Sequence, residues 1–171
     1  MTILRRWLVW LSRIHRIWGF GIQSPTDYAF VRSVVNEHSP YYAYGQLKEK
    51  NWLRRKLGRL YLRLANWRQP ATIISDDYRQ WFQAGCRKAQ FATPIYNKVE
   101  LARIDIEDDY EALLALCDTQ SVVVIEGIWR NWQQWRKIQE DPRTGTTFDL
   151  YYGGIVFFDK NRYKQHYIIN F

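Results

Sequence analysis

Apolar positions recur at helical spacing through the first third of the chain and at strand spacing through the last third. Ile3, Leu4, Trp7, Leu8, Leu11, Ile14 and Trp18 fall on one helical face, with Arg5, Arg6, Ser12, Arg13 and Arg16 largely opposite. That spacing of i, i+3, i+4, i+7 predicts an amphipathic helix over 3–18. Gly19 and Gly21 end it. Ser24-Pro25 then opens a second helix over about 25–36, in the favoured order of N-cap followed by proline at the first position. Tyr28, Val31 and Val35 fall on one side of it. Ser39-Pro40 breaks the chain again, and a third, heavily basic helical region over about 46–67 repeats Leu53, Leu57, Leu60, Leu64 and Trp67 at helical spacing.

Past the break at Gln69-Pro70 the pattern changes. Residues 71–74 read as a short strand, and Ser75-Asp76-Asp77 as the N-cap of a helix over 78–88. A weak strand over 91–96 is interrupted by Pro94. Residues 99–106 alternate apolar with polar and predict a strand, followed by a helix over 108–116. Val122 to Ile125 form a β-branched run bounded by Ser121 and Gly127, which suits a strand buried on both faces. A helix over 128–140 places Ile128, Trp132, Trp135 and Ile138 together, and Asp141-Pro142 stops it. Two β-rich runs, 146–158 and 163–171, follow with the polar turn 159–162 between them. The expected organisation is a helical basic cap over 1–68 and an α/β domain over 69–171, forming one compact unit.

Charge sharpens that division. The chain carries a net +8, yet residues 1–68 hold thirteen Lys/Arg and three Asp/Glu while 69–171 hold twelve and fourteen. The excess positive charge therefore lies in the cap. Such a face attracts nucleic acid, anionic membrane or an acidic partner, or simply serves as a solvated surface. No module that reads base edges is visible, so the nucleic-acid signal is weak. Arg5, Arg6, Trp7, Trp10 and Arg13 are the candidate interaction surface. The first helix either packs its stripe on its own domain or a second copy, or lies on an anionic membrane. A hydrophobic content of 47% with nine tryptophans excludes disorder.

Cys86 and Cys117 have no metal-ligand spacing and form no disulfide framework, which fits a reduced, cytoplasmic setting. No signal peptide is expected, and the apolar run from Trp7 to Leu11 is too short to span a bilayer. His15, His38 and His166 are too scattered for a triad or a metal site, and neither a phosphate-cradling glycine loop nor a zinc spacing occurs.

Three stretches together resemble a class of bacterial proteins with the class I S-adenosylmethionine-dependent methyltransferase fold. Gly21-Ile22-Gln23-Ser24-Pro25 with Tyr28 and Phe30 is similar to their helical leader, where His-Ser-Pro-Phe is usual; here Gln23 and Thr26 replace the histidine and the phenylalanine. Lys56-Leu57-Gly58-Arg59-Leu60, running through Asn66 to Thr72-Ile73-Ile74, is similar to the helix feeding their first strand. Residues 99–105 resemble strand four, and 122–128 with Trp129 resemble strand five and its exit. Phe148-Asp149-Leu150, then 154–158 and 165–169, resemble the closing antiparallel hairpin. The resemblance implies a Rossmann-like sheet and an S-adenosylmethionine site.

The departures are as informative. The family's cofactor loop carries an acidic residue and several glycines after strand one, letting the backbone approach the cofactor. This chain has Ser75-Asp76-Asp77-Tyr78-Arg79-Gln80-Trp81 there. Only residues 88–98 stand where the family has strand two, a helix, strand three and another helix. A reduced methyltransferase-type sheet lacking strands two and three is thus expected, with a degenerate cofactor site and no catalytic residue or metal. Ser75, Asp76, Asp77, Asp105 and Glu126 are the weak cofactor-binding candidates. Each has a plainer reading: capping for Asp76 and Asp77, and an ion pair with Arg130 for Glu126. For Asp105, grouped with Glu107, Asp108 and Asp109, a divalent cation and a solvated strand end are the two readings. The leading expectation is a structural or protein-interaction module, partnered through an uncovered sheet edge or the tryptophan-rich helical face, as a homodimer or with another protein. The alternatives are an active S-adenosylmethionine-dependent methyltransferase with an atypical pocket, and a basic module for nucleic acid or anionic membrane.

Overall fold

The computed structural model describes residues 3–92, 98–160 and 163–171. Its centre is a seven-stranded mixed sheet of order β2-β1-β3-β4-β6-β5-β7. The strands are β1 (Thr72–Ile74), β2 (Gln90–Ala92), β3 (Val99–Asp105), β4 (Cys117–Glu126), β5 (Thr147–Asp149), β6 (Gly153–Phe157) and β7 (His166–Ile168). β2, β1, β3 and β4 run parallel; β6 is antiparallel to β4 and to β5, and β7 is parallel to β5. Val122 to Ile125 are buried, as a β-branched run covered on both faces should be. Alternation sends Val122 and Val124 to one core and Val123 and Ile125 to the other.

Helices cover both faces. α2 (Pro25–Phe30), α4 (Trp52–Arg68) and α5 (Arg79–Gly85) close the Val122/Val124 side, so the basic cap and the sheet share one core. α6 (Tyr110–Leu114) and α7 (Trp132–Glu140) close the other. α7 buries Trp135 and Ile138, and the Trp135 ring lies against Gly154 of β6, leaving no room for a Cβ there. Trp132, expected on the same buried side, is 44% exposed. A 3₁₀ turn at Ile128–Arg130 separates Ile128 from α7 and shifts the register of the stripe.

The first helix departs most from expectation. α1 (Ile3–Ser12) ends six residues early, and Ile14–Gly19 is a 3₁₀ segment with Trp18 in the left-handed region. The segment after β7 explains the break: Asn170 donates from its side chain to the Trp10 carbonyl and from its backbone to that of Arg16. Arg13 meanwhile turns inward to Asp149 at 2.8 Å. The apolar stripe does not pack on its own domain. Ile3, Leu4, Trp7 and Leu8 are 58–70% exposed, and no residue of α1 is buried.

Other boundaries moved for local reasons. Ser24 caps α2 as expected, accepting from the Asp27 N–H at 3.3 Å, and a π-helical turn continues it through Val31–Val35. The basic region divides into a short α3 (Ala43–Gln46) and α4, whose N-cap is Asn51. α5 starts after Tyr78 with no side-chain cap, so Asp76 and Asp77 are not cap residues. The antiparallel hairpin is β5–β6, inside the run expected as one strand, and the last strand joins β5 in parallel. The 88–98 segment does hold a strand: β2 pairs in parallel with β1 and forms one sheet edge, so β1 is not left uncovered. The remainder of the weak strand over 91–96, and part of the turn over 159–162, lie outside the described residues.

Candidate functional site

Parallel strands of an open α/β sheet present their carboxyl ends to any bound ligand. At the ends of β1, β3 and β4 this chain builds a side-chain network around Glu126, the last residue of β4. One Glu126 oxygen accepts from Arg103 Nε at 2.9 Å, Arg103 Nη2 at 2.8 Å and Tyr61 Oη at 3.1 Å, and the other from Tyr78 Oη at 3.2 Å. Arg103 completes its fork by donating from Nη1 to Asp76 at 2.6 Å. Pleating aims Arg103 of β3 and Glu126 of β4 at the α4 side, where Tyr61 rises from the helix. Tyr61 and Tyr78 meet edge to face with centroids 4.7 Å apart.

Tyr78 carries most of the geometry. It sits at φ +58°, a left-handed conformation uncommon outside glycine, and its side chain is turned into the protein with 4% exposure. The turn before it is pinned on both sides: Asp77 accepts from the Tyr78 N–H at 2.7 Å and is held in a two-point pair by Arg54 at 2.7 and 2.9 Å. The Ser75 hydroxyl donates to the Asp77 carbonyl at 2.6 Å. Arg54 also lies 4.7 Å over the Tyr78 ring.

The electrostatics agree with a closed network. Burial, and then the negative Glu126, push the Tyr61 and Tyr78 hydroxyls above the ordinary phenol range, so both remain donors. Burial works against the Arg103 cation, but Glu126, Tyr61 and Asp76 together more than offset it and hold the charge in place. The two-point pair with Arg54 lowers the Asp77 carboxyl. These groups hold one another. A proton acceptor poised for a substrate would need a lone pair facing open space.

Of the sequence candidates, Ser75, Asp76, Asp77 and Glu126 do converge at the strand ends, the three carboxylates as partners of cations and tyrosines and Ser75 as a brace on the Asp77 backbone. Asp105 does not join them. It pairs with Arg130, which also reaches Glu107 at 3.5 Å, so the expected Glu126–Arg130 pair is replaced by Glu126–Arg103. Among the described residues no group of His, Cys, Asp and Glu is arranged to hold a metal ion. His166 contacts Thr147 at 2.9 Å, and both cysteines are free thiols.

The proposed interaction surface splits in two. Arg5 lies 4.6 Å over Trp129 and donates to Tyr151, Arg6 lies 4.3 Å over Trp52, and Arg13 pairs with Asp149. All three arginines face the domain, while Trp7 and Trp10 stay exposed. Sequence reading missed Arg103, Tyr61 and Tyr78. One signal for Arg103 was available: an arginine set among Leu101, Ala102 and Ile104 in a strand requires a carboxylate partner when it is buried.

Among the described residues no helix is long and apolar enough to cross a membrane. Compared with family models, curated proteins and solved structures, the chain matches none of them.

Proposed function

We propose that this chain is a methyltransferase-type scaffold that has given up its cofactor and acts as a protein-interaction module. The Rossmann-like half of that reading is supported by β1, β3 and β4 lying side by side and parallel, with the β5–β6 hairpin against β4. These are the positions the resemblance gives to strands one, four, five and the closing hairpin.

The observation that carries the loss of cofactor is the occupied strand end. Where glycines would let a methionine-bearing cofactor approach the backbone, the chain inserts the Tyr78 ring, and Arg103 and Glu126 neutralise each other beneath it. Admitting a ligand there requires breaking several charge-assisted hydrogen bonds and exposing Arg103, which is costly without a replacement partner. The interaction surface is the outward stripe of α1, and the occupant proposed for it is a second copy of this chain.

Calorimetric titration with S-adenosylmethionine and S-adenosylhomocysteine tests the reading. No heat at millimolar ligand is the expected result. Micromolar binding that Glu126→Gln or Asp76→Asn weakens at least tenfold would restore a methyltransferase with an atypical pocket and overturn the proposal.

A further inference from the structure

A second region of the molecule has the chemistry that the strand ends lack. Between the cap and the C-terminal segment lies a cavity of about 770 Å³, within the size range of small-molecule sites. Four cations of α4, Arg55, Lys56, Arg59 and Arg63, line it, and among the described acidic residues only Glu37 does. Glu37 is engaged: its carboxylate accepts from the Ser39 N–H at 2.9 Å. Arg63 is engaged too, donating to the Val34 and Val35 carbonyls at 2.6 and 3.0 Å and so satisfying the end of the π-helical turn.

Arg55 donates to the Glu49 carbonyl at 3.1 Å, whereas Lys56 and Arg59 have capacity to spare. Arg59 Nε and Asn36 Nδ2 are buried donors with no hydrogen-bond acceptor among the described residues. Buried donors of this kind are rare and costly unless something completes them. Lys56 has no carboxylate partner among the described residues; its ammonium faces the Phe171 ring at 4.3 Å and the Trp52 ring at 5.6 Å. The wall is aromatic as well, with Trp10, Trp18 and Tyr44 beside the cations. Arg59 lies over the Tyr44 ring and Arg32 over that of Trp18, and cations interleaved with aromatic rings suit a ligand that is anionic at one end and planar at the other.

We infer that this cavity binds a nucleoside phosphate, with Lys56 and Arg59 on the phosphate and a wall aromatic stacked on the base. The site is independent of the occupied strand ends, and a phosphate has no counterpart in the zwitterionic cofactor tested there. Burial, with Arg63 and Arg59 adding repulsion, brings the Lys56 ammonium down to about 8. The charged and titratable groups around it are Arg55, Arg59 and Arg63 of its own helix, Arg6 of α1, and Glu37 and His38 beyond the π-helical turn. Affinity that depends on this ammonium is full at pH 7 and falls about tenfold by pH 9 as the lysine discharges.

Calorimetry with AMP, adenosine and inorganic phosphate decides the matter. AMP is expected to bind at least tenfold more tightly than either fragment, with Lys56→Gln and Arg59→Gln each weakening it tenfold or more. Lys56→Arg should retain binding and remove the loss between pH 7 and 9. Absence of AMP binding at millimolar concentration, phosphate binding as tightly as AMP, or equal affinity in Lys56→Gln would each overturn the assignment. A circular-dichroism melt of each variant shows whether it is folded. If both Gln variants unfold, AMP protection of Lys56 from amine acylation in the unmodified protein replaces them, and no protection sinks the site.

Discussion

Glu126 and Arg103 show how much can rest on one buried pair. Arg103 is 8% exposed and has two anionic partners, Glu126 and the largely exposed Asp76. Replacing Glu126 with leucine strands a buried guanidinium and two tyrosine hydroxyls together, which is expected to cost roughly 3–5 kcal/mol in urea unfolding. Removing both charges as Arg103→Met/Glu126→Leu should cost clearly less than Glu126→Leu alone, since no uncompensated cation remains. A double variant as unstable as the single one would mean that shape, and not charge, holds the strand ends. The sequence marked Glu126 because it ends an apolar run, and it marked Asp76 and Asp77 as short acidic residues after a strand. It could not mark Tyr78, whose turn is held by the neighbouring Asp77 together with Arg54 and Glu126, which arrive from two separate stretches of chain. Local propensity does not carry that information.

Elements were legible where a single period governed them. The buried β4 run, the capped start of α2 and the apolar spacing of α4 follow from pattern alone. Boundaries set by tertiary contacts were not. α1 breaks where Asn170, far away in sequence, takes the carbonyls of Trp10 in its last turn and of Arg16 beyond it, and the β5–β6 turn interrupts a run that reads as continuous strand. Gly153-Gly154 was the one hint, and packing explains the second glycine. Trp135 of α7 lies directly on Gly154, closer than any Cβ permits. Gly154→Ala is therefore expected to destabilise by about 1–3 kcal/mol through overpacking. An exposed strand glycine would instead gain from the change. Combining it with Trp135→Leu should recover part of the loss relative to Trp135→Leu alone, and thermal melts of the four proteins would reveal a purely additive result if the two residues do not touch.

At the scale of the whole molecule, α1 is mounted inside out: its arginines face the domain and its apolar stripe faces solvent. An apolar stripe this exposed marks an interaction surface. The withdrawal of Arg5, Arg6 and Arg13 decides between occupants. A helix lying on an anionic membrane presents its cations to the headgroups, whereas these engage Trp129, Trp52 and Asp149. The stripe from Ile3 to Leu11 is left without charge, so two copies can meet there without opposing cations at the seam. Side chains of this size present on the order of 500 Å² per copy, and Ile14 and Phe20 extend this toward the roughly 800 Å² per partner of a standard interface. Light scattering at tens of micromolar is expected to give a dimer, and Leu4→Glu/Leu8→Glu a folded monomer, because two carboxylates per copy cannot be buried unpaired. Salt separates the readings further. A seam held by apolar burial persists at 1 M NaCl, while attachment to anionic vesicles weakens as charge is screened. A monomer that binds such vesicles in low salt and releases them in high salt would assign the stripe to a membrane and remove the dimer from the account.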